Sequence, residues 1–130
     1  MPFDWREYLV IAHELRNDPR EAVQRVCLGR AYYYVYNLGL GHARTMNFAA
    51  QPPGLHKKLW NWCQSHADPR VKRIGINGVR MLALRHEADY DSALIPNLAR
   101  EVQQQLSRAR QIEELVSQTN GQNPPPALVA

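Results

Sequence analysis

The chain has 130 residues, 45% of them apolar and 22% charged, a balance that suits one globular core and excludes a disordered or fibrous body. Its formal charge is +4 and its pI ≈ 9.3, and no stretch approaches the roughly eighteen consecutive apolar residues of a membrane helix. Residues 1–5 lack the basic-then-apolar layout of a secretory signal, so the expectation is a cytoplasmic protein without a membrane partner.

Over residues 3–15, Trp5, Tyr8, Leu9, Ala12 and Leu15 recur at three- and four-residue steps, which predicts an amphipathic helix. Asp18, Pro19 and Glu21 then read as an N-cap, a first-turn proline and a capping-box acid, opening a second helix. Its apolar positions Ala22, Val23, Val26, Cys27, Tyr33, Tyr34 and Leu38 carry it toward residue 46, with Gly39 and Gly41 able to loosen its second half. Gln51-Pro52-Pro53-Gly54 ends it.

A shorter helix is predicted over 56–66, with Leu59, Trp60, Trp62 and Cys63 as its apolar members. Asp68-Pro69 repeats the cap-plus-proline signal and starts a helix over 70–90, in which Gly75 and Gly78 permit close approach of a neighbour. Ile95-Pro96 opens a last helix through Leu98, Val102, Leu106, Ala109, Ile112, Leu115 and Val116, ending at residue 118. The expected architecture is therefore all-α, an up-and-down bundle of four to five helices over 1–118. Residues 119–130, with Asn120-Gly121 and three successive prolines, form a disordered tail. Cys27 and Cys63 suit neither a disulfide framework nor a zinc site and read as core thiols, so no metal or other cofactor is expected.

Thirteen arginines against three lysines favour bidentate contacts to phosphate or carboxylate. Arg30 falls in line with Val23, Cys27, Tyr34 and Leu38, a position that calls for a partner, and Arg85 and Asp89 lie one turn apart on the fourth helix. An Arg30/Arg85/Asp89 cluster is expected, either as a buried ionic lock or as an open site for a phosphate or nucleotide. Tyr32, Tyr33, Tyr34 and Tyr36 cannot share one face, because successive helical residues turn by about 100°. Trp60 and Trp62, beside His56, Lys57 and Lys58, likewise point apart, one into the core and one toward an interface.

Three segments together resemble a known pattern: Arg30-Ala31-Tyr32-Tyr33, then Gly54-Leu55-His56-Lys57, then Leu84-Arg85-His86-Glu87-Ala88-Asp89-Tyr90-Asp91. In this order they are similar to the HEPN superfamily, in particular its small stand-alone bacterial and archaeal members. The resemblance implies a helical bundle that forms a homodimer and belongs to a toxin–antitoxin, defence or RNA-processing system, often beside a minimal nucleotidyltransferase partner. It marks Arg30, Tyr33, His56, Arg85, Asp89 and Tyr90 as candidates for binding RNA or a nucleotide.

Ribonuclease members of that superfamily use an arginine followed at short spacing by a histidine, and Arg80 and His86 have this spacing, with Met81 where a polar residue commonly follows the arginine. His86 would then act as general base on a ribose 2′-hydroxyl and Arg80 would stabilise the charged phosphorane. On an unbroken helix the two point about 240° apart, so a shared site requires a kink or a second copy. Three functions follow as alternatives: an RNA- or nucleotide-associated component of such a system, a metal-independent ribonuclease using Arg80 and His86, or a non-catalytic protein-interaction domain.

Overall fold

A computed structural model describes residues 2–129 as an all-helical bundle of five helices, with no strand among the described residues. These are α1 (Arg6–Leu15), α2 (Glu21–Thr45), α3 (Leu55–Gln64), α4 (Pro69–Tyr90) and α5 (Leu98–Asn120). Helix α2 is the central element and packs against each of the other four. Among the described residues no helix is long and apolar enough to cross a membrane.

Local chemistry sets the helix starts. Asp68 behaves as read from the sequence: its Oδ1 accepts the Arg70 N–H at 2.9 Å, with Pro69 in the first turn. Asp18 makes the same contacts to the N–H and guanidinium of Arg20 that Asp68 makes to Arg70, yet α2 begins only at Glu21. Asp4 accepts the Arg6 N–H at 3.0 Å and starts α1 three residues later than the apolar pattern suggests. Ile95 does not open α5 but is buried as a loop anchor, and Asn97, in the left-handed region at φ 54°, precedes the helix. At its far end Gly121 adopts φ 66°, and the Gln122 and Gly121 N–H groups reach back to the Ser117 and Gln118 carbonyls. The helix therefore includes Thr119 and Asn120, which the sequence reading assigned to the tail.

The core centres on Trp60, Tyr32, Leu28, Leu59, Ile74 and Met81, all essentially inaccessible to solvent. Gly78 makes room for the indole: a Cβ there would lie 2.3 Å from the Trp60 ring, so α3 seats directly on the α4 backbone. Cys27 and Cys63 are buried free thiols, and burial pushes Cys63 up to about 12. Trp62 is half-buried and packs on Phe48 and His66.

One buried acid fastens α1 to α5. Glu113, 1% exposed, accepts from Arg6 Nε at 2.6 Å, Tyr34 Oη at 2.6 Å and Arg110 Nη1 at 3.1 Å. Residues 122–129 have no helix or strand, and three of their carbonyls are met by side chains: Pro126 by Arg6 at 2.7 Å, Pro125 by Arg110 at 2.5 Å and Val129 at 3.1 Å from His13 Nε2.

Candidate functional site

The polar groups that the core leaves near the surface converge where α2, α3 and the end of α4 meet. Tyr32, on α2, is fully buried, and its hydroxyl lies 3.1 Å from Trp60 Nε1 and 2.6 Å from His56 Nδ1. An indole N–H only donates, so the Tyr32 oxygen accepts from Trp60 and its own proton goes to His56 Nδ1. The imidazole is thereby assigned as the neutral Nε2–H tautomer. Its ring stacks on Tyr36 with centroids 3.8 Å apart and planes at 11°, and Tyr33 meets it edge-on. Burial, and then the nearness of Arg85 and His86, hold His56 below the ordinary imidazole range. Burial likewise raises the phenols of Tyr32 and Tyr36, keeping both protonated.

Arg85 forms the cationic centre. Its Nη2 donates to the Tyr33 hydroxyl, and its guanidinium carbon lies 4.9 Å from the Tyr33 ring centroid and 5.4 Å from that of Tyr90. Asp89, one turn on, sits 3.0 Å from Arg85 Nε, but the N–H is not aimed at the carboxylate and has no hydrogen-bond acceptor. Gly29 of α2 lets this pair lie close, since the Asp89 oxygens are 3.7 and 3.9 Å from where a Cβ would stand. The arginine is 12% exposed and the aspartate 38%, so the pair sits at the rim of the bundle and not in its core.

Arg30 does not join them, and the expected three-residue cluster is corrected to the Arg85–Asp89 pair. Arg30 is exposed and lies 4.8 Å from the Tyr8 ring centroid of α1. Residues 26, 30 and 33 form the outward stripe of α2, and spacing alone does not separate the edge of an apolar arc from its centre. The stripe still belongs to one surface: Phe3, Trp5 and Tyr8 pack ring to ring at one side, with centroids 5.1–5.4 Å apart, and Tyr33 and Tyr90 flank Arg85 at the other.

The structure does not bring Arg80 and His86 together. Arg80 lines a groove with Glu87, Ile95, Asn97, Glu101 and Arg108, whereas His86 lines one with Lys57, Trp60, Asn61, Val79 and Leu82. Helix α4 is continuous between them. The His86 groove, about 460 Å³, adjoins the site, and His86 and Tyr90 have ring centroids 5.5 Å apart. Of the residues named from the sequence, Tyr33, His56, Arg85, Asp89 and Tyr90 are thus gathered, His86 stands at the edge, and Arg30 and Arg80 stand apart. Tyr32, Tyr36 and Trp60 emerge as supports for His56, a role invisible in the sequence because the partners are 24 and 28 residues apart. Among the described residues no three His, Cys, Asp or Glu side chains converge to hold a metal ion. Comparison of the chain with protein-family models, with curated proteins and with solved structures finds no match.

Proposed function

We propose that the face formed by α2, α3 and the end of α4 binds single-stranded RNA or a nucleotide, the chain acting as the HEPN-like component of a toxin–antitoxin or defence system. The observation that carries this reading is Arg85, set between the rings of Tyr33 and Tyr90 at the rim of the bundle, beside a histidine assigned as an Nε2–H donor. A phosphate oxygen gains charge-assisted bonds from the guanidinium and a further bond from the imidazole. A base gains a stacking surface in Tyr90, which is 72% exposed. Arg30 over Tyr8 repeats the pairing of cation and ring toward α1, a second contact for an extended strand. The homodimer and the minimal nucleotidyltransferase partner belong to the same proposal.

The test is a titration of labelled single-stranded RNA, and of a mononucleotide, followed by anisotropy at several salt concentrations. Saturable binding that weakens with salt, and that falls about tenfold in Tyr90→Ala, is expected. No saturable binding of either ligand removes the reading.

A second reading, metal-independent RNA cleavage, draws on one observation: His86 lines the groove that adjoins the site, with its ring centroid 5.5 Å from that of Tyr90. Here His86 would take the 2′-hydroxyl proton, water would protonate the departing 5′-oxygen, and Arg85 would stabilise the phosphorane in place of Arg80. Cleavage in chelator that is lost in His86→Ala supports it, and equal cleavage by that variant removes it.

A further inference from the structure

We infer that Arg25 of α2 is a positioning residue for the face formed by α2, α3 and the end of α4, an inference that rests on the reading of that face as an RNA or nucleotide site: Arg25 ends α4 and thereby holds Tyr90 beside Arg85.

Helix α4 carries no stop signal of its own. Its last turn has no basic residue, no glycine follows it, and Asp91 leaves in extended backbone at φ −105° and ψ 120°. The last carbonyls of a helix lack intrahelical donors and form its negative pole. The Asp91 N–H returns to the Glu87 carbonyl at 3.1 Å, and the further donors come from α2. Arg25 Nη1 donates to the carbonyls of Glu87 at 3.1 Å, Ala88 at 3.0 Å and Asp91 at 2.6 Å, and its Nη2 to that of Ala93 at 2.8 Å. The Asp91 carboxylate accepts the Ala93 N–H at 2.8 Å, closing a turn whose carbonyls both reach the one guanidinium. A planar cation with several fixed donors suits such a set of acceptors, where a point charge does not.

Arg25 completes a row of contacts. Residues 25, 29 and 33 stand one turn apart on α2 and so share a face. Tyr33 accepts from Arg85, Gly29 leaves room for the Asp89 carboxylate, and Arg25 takes the carbonyls beyond. The first two contacts place Arg85 and Asp89 directly. Tyr90 relies on the helix itself: it is 72% exposed, and its ring lies 5.4 Å from the Arg85 guanidinium carbon and 5.5 Å from the His86 ring, both on α4. Its place beside the guanidinium therefore depends on α4 staying helical as far as residue 90. Without Arg25 the terminal carbonyls turn to water and the last turn frays.

The experiment compares the full chain with Arg25→Gln, Tyr90→Ala and the double variant. In isotope-labelled protein the α-carbon shifts of residues 88–90 should move in Arg25→Gln from helical toward coil values, while those of residues 79–84 stay helical. Titrated with labelled single-stranded RNA at low salt, Arg25→Gln should bind about fivefold more weakly than the wild type, yet in the Tyr90→Ala background the same change should cost less than about twofold. A positioning residue loses its effect once the group it positions is gone, whereas a general loss of stability or of one positive charge weakens both backgrounds alike. Arg25→Lys, which keeps the charge without the planar fork, should show both changes in the same direction, and it replaces the glutamine variant if that one does not fold. Unmoved shifts at 88–90 overturn the inference, as does an equal loss of binding in the two backgrounds. A wild-type chain that binds no RNA removes the function proposed for the face, and the shifts then decide alone whether Arg25 ends the helix.

Discussion

Two places in this molecule use arginine and tyrosine around a carboxylate, and they come out differently. At the α1–α5 seam the carboxylate is Glu113, 1% exposed, and two guanidinium groups and the Tyr34 hydroxyl spend donors on it. At the α2–α3–α4 face the carboxylate is Asp89, 38% exposed, held by one arginine whose Nε–H is not aimed at it. The first is a closed lock that joins helices, and the second leaves a cation, a neutral imidazole and aromatic rings for something else to use. Residue type does not separate them; the depth of the acid does. A buried carboxylate must collect all its donors, whereas a half-exposed one leaves part of its work to water.

The contrast is broken most severely by Glu113→Ala, which leaves Arg6 and Arg110 uncompensated beside the core. A loss of about 3 kcal/mol is expected, moderated by the partial exposure of both arginines and measured by urea unfolding. A cost below about 1 kcal/mol would mean that the seam is no lock.

Tyr32→Phe should cost less, about 1–2 kcal/mol, because it strands the Trp60 N–H and frees His56 Nδ1. Its sharper signature is nitrogen NMR of the imidazole: the wild type should show the Nε2–H tautomer and the variant a mixture. Unchanged spectra would remove the relay.

Arg85→Ala should lower stability by no more than about 1 kcal/mol, since its ion partner is partly solvated. A loss as large as that of Glu113→Ala in the same unfolding assay would make this pair a lock too.

The smallest effect is one of pH. Burial is the first cause that depresses His42 and His56 from their ordinary value of 6.5, so the unfolded chain binds the extra protons. Their contribution is fully present above pH 6.5 and declines as pH falls below it. Melting temperatures between pH 7.5 and 5.5 should fall, and the slope should lessen in His42→Gln. No change across that interval would show that neither ring resists protonation.

Much of the fold was legible in the sequence. The periodicity of α4 and the Asp68-Pro69 start gave its beginning, and Gly75 and Gly78 marked the helix that another packs against closely. Asp18 carries the same motif as Asp68 and makes the same contacts to the arginine two residues on, yet α2 begins three residues after it, a difference that the motif does not reveal. For the site, the sequence supplied members but not geometry. Arg85 and Asp89 were readable as an i, i+4 pair, whereas Arg30 was drawn into the group by a spacing that its exposed position and Tyr8 contact override. The assignment of the His56 proton depends on three side chains from two helices and has no local signature.

The central claim is that Arg85, not Arg80, anchors an RNA or nucleotide phosphate, and its most direct test is one binding titration run on two variants. With labelled single-stranded RNA at low salt, Arg85→Gln should weaken binding about tenfold or more, while Arg80→Gln stays within about twofold of the wild type. Equal losses in the two variants would show that only the overall charge matters, and would contradict the site described.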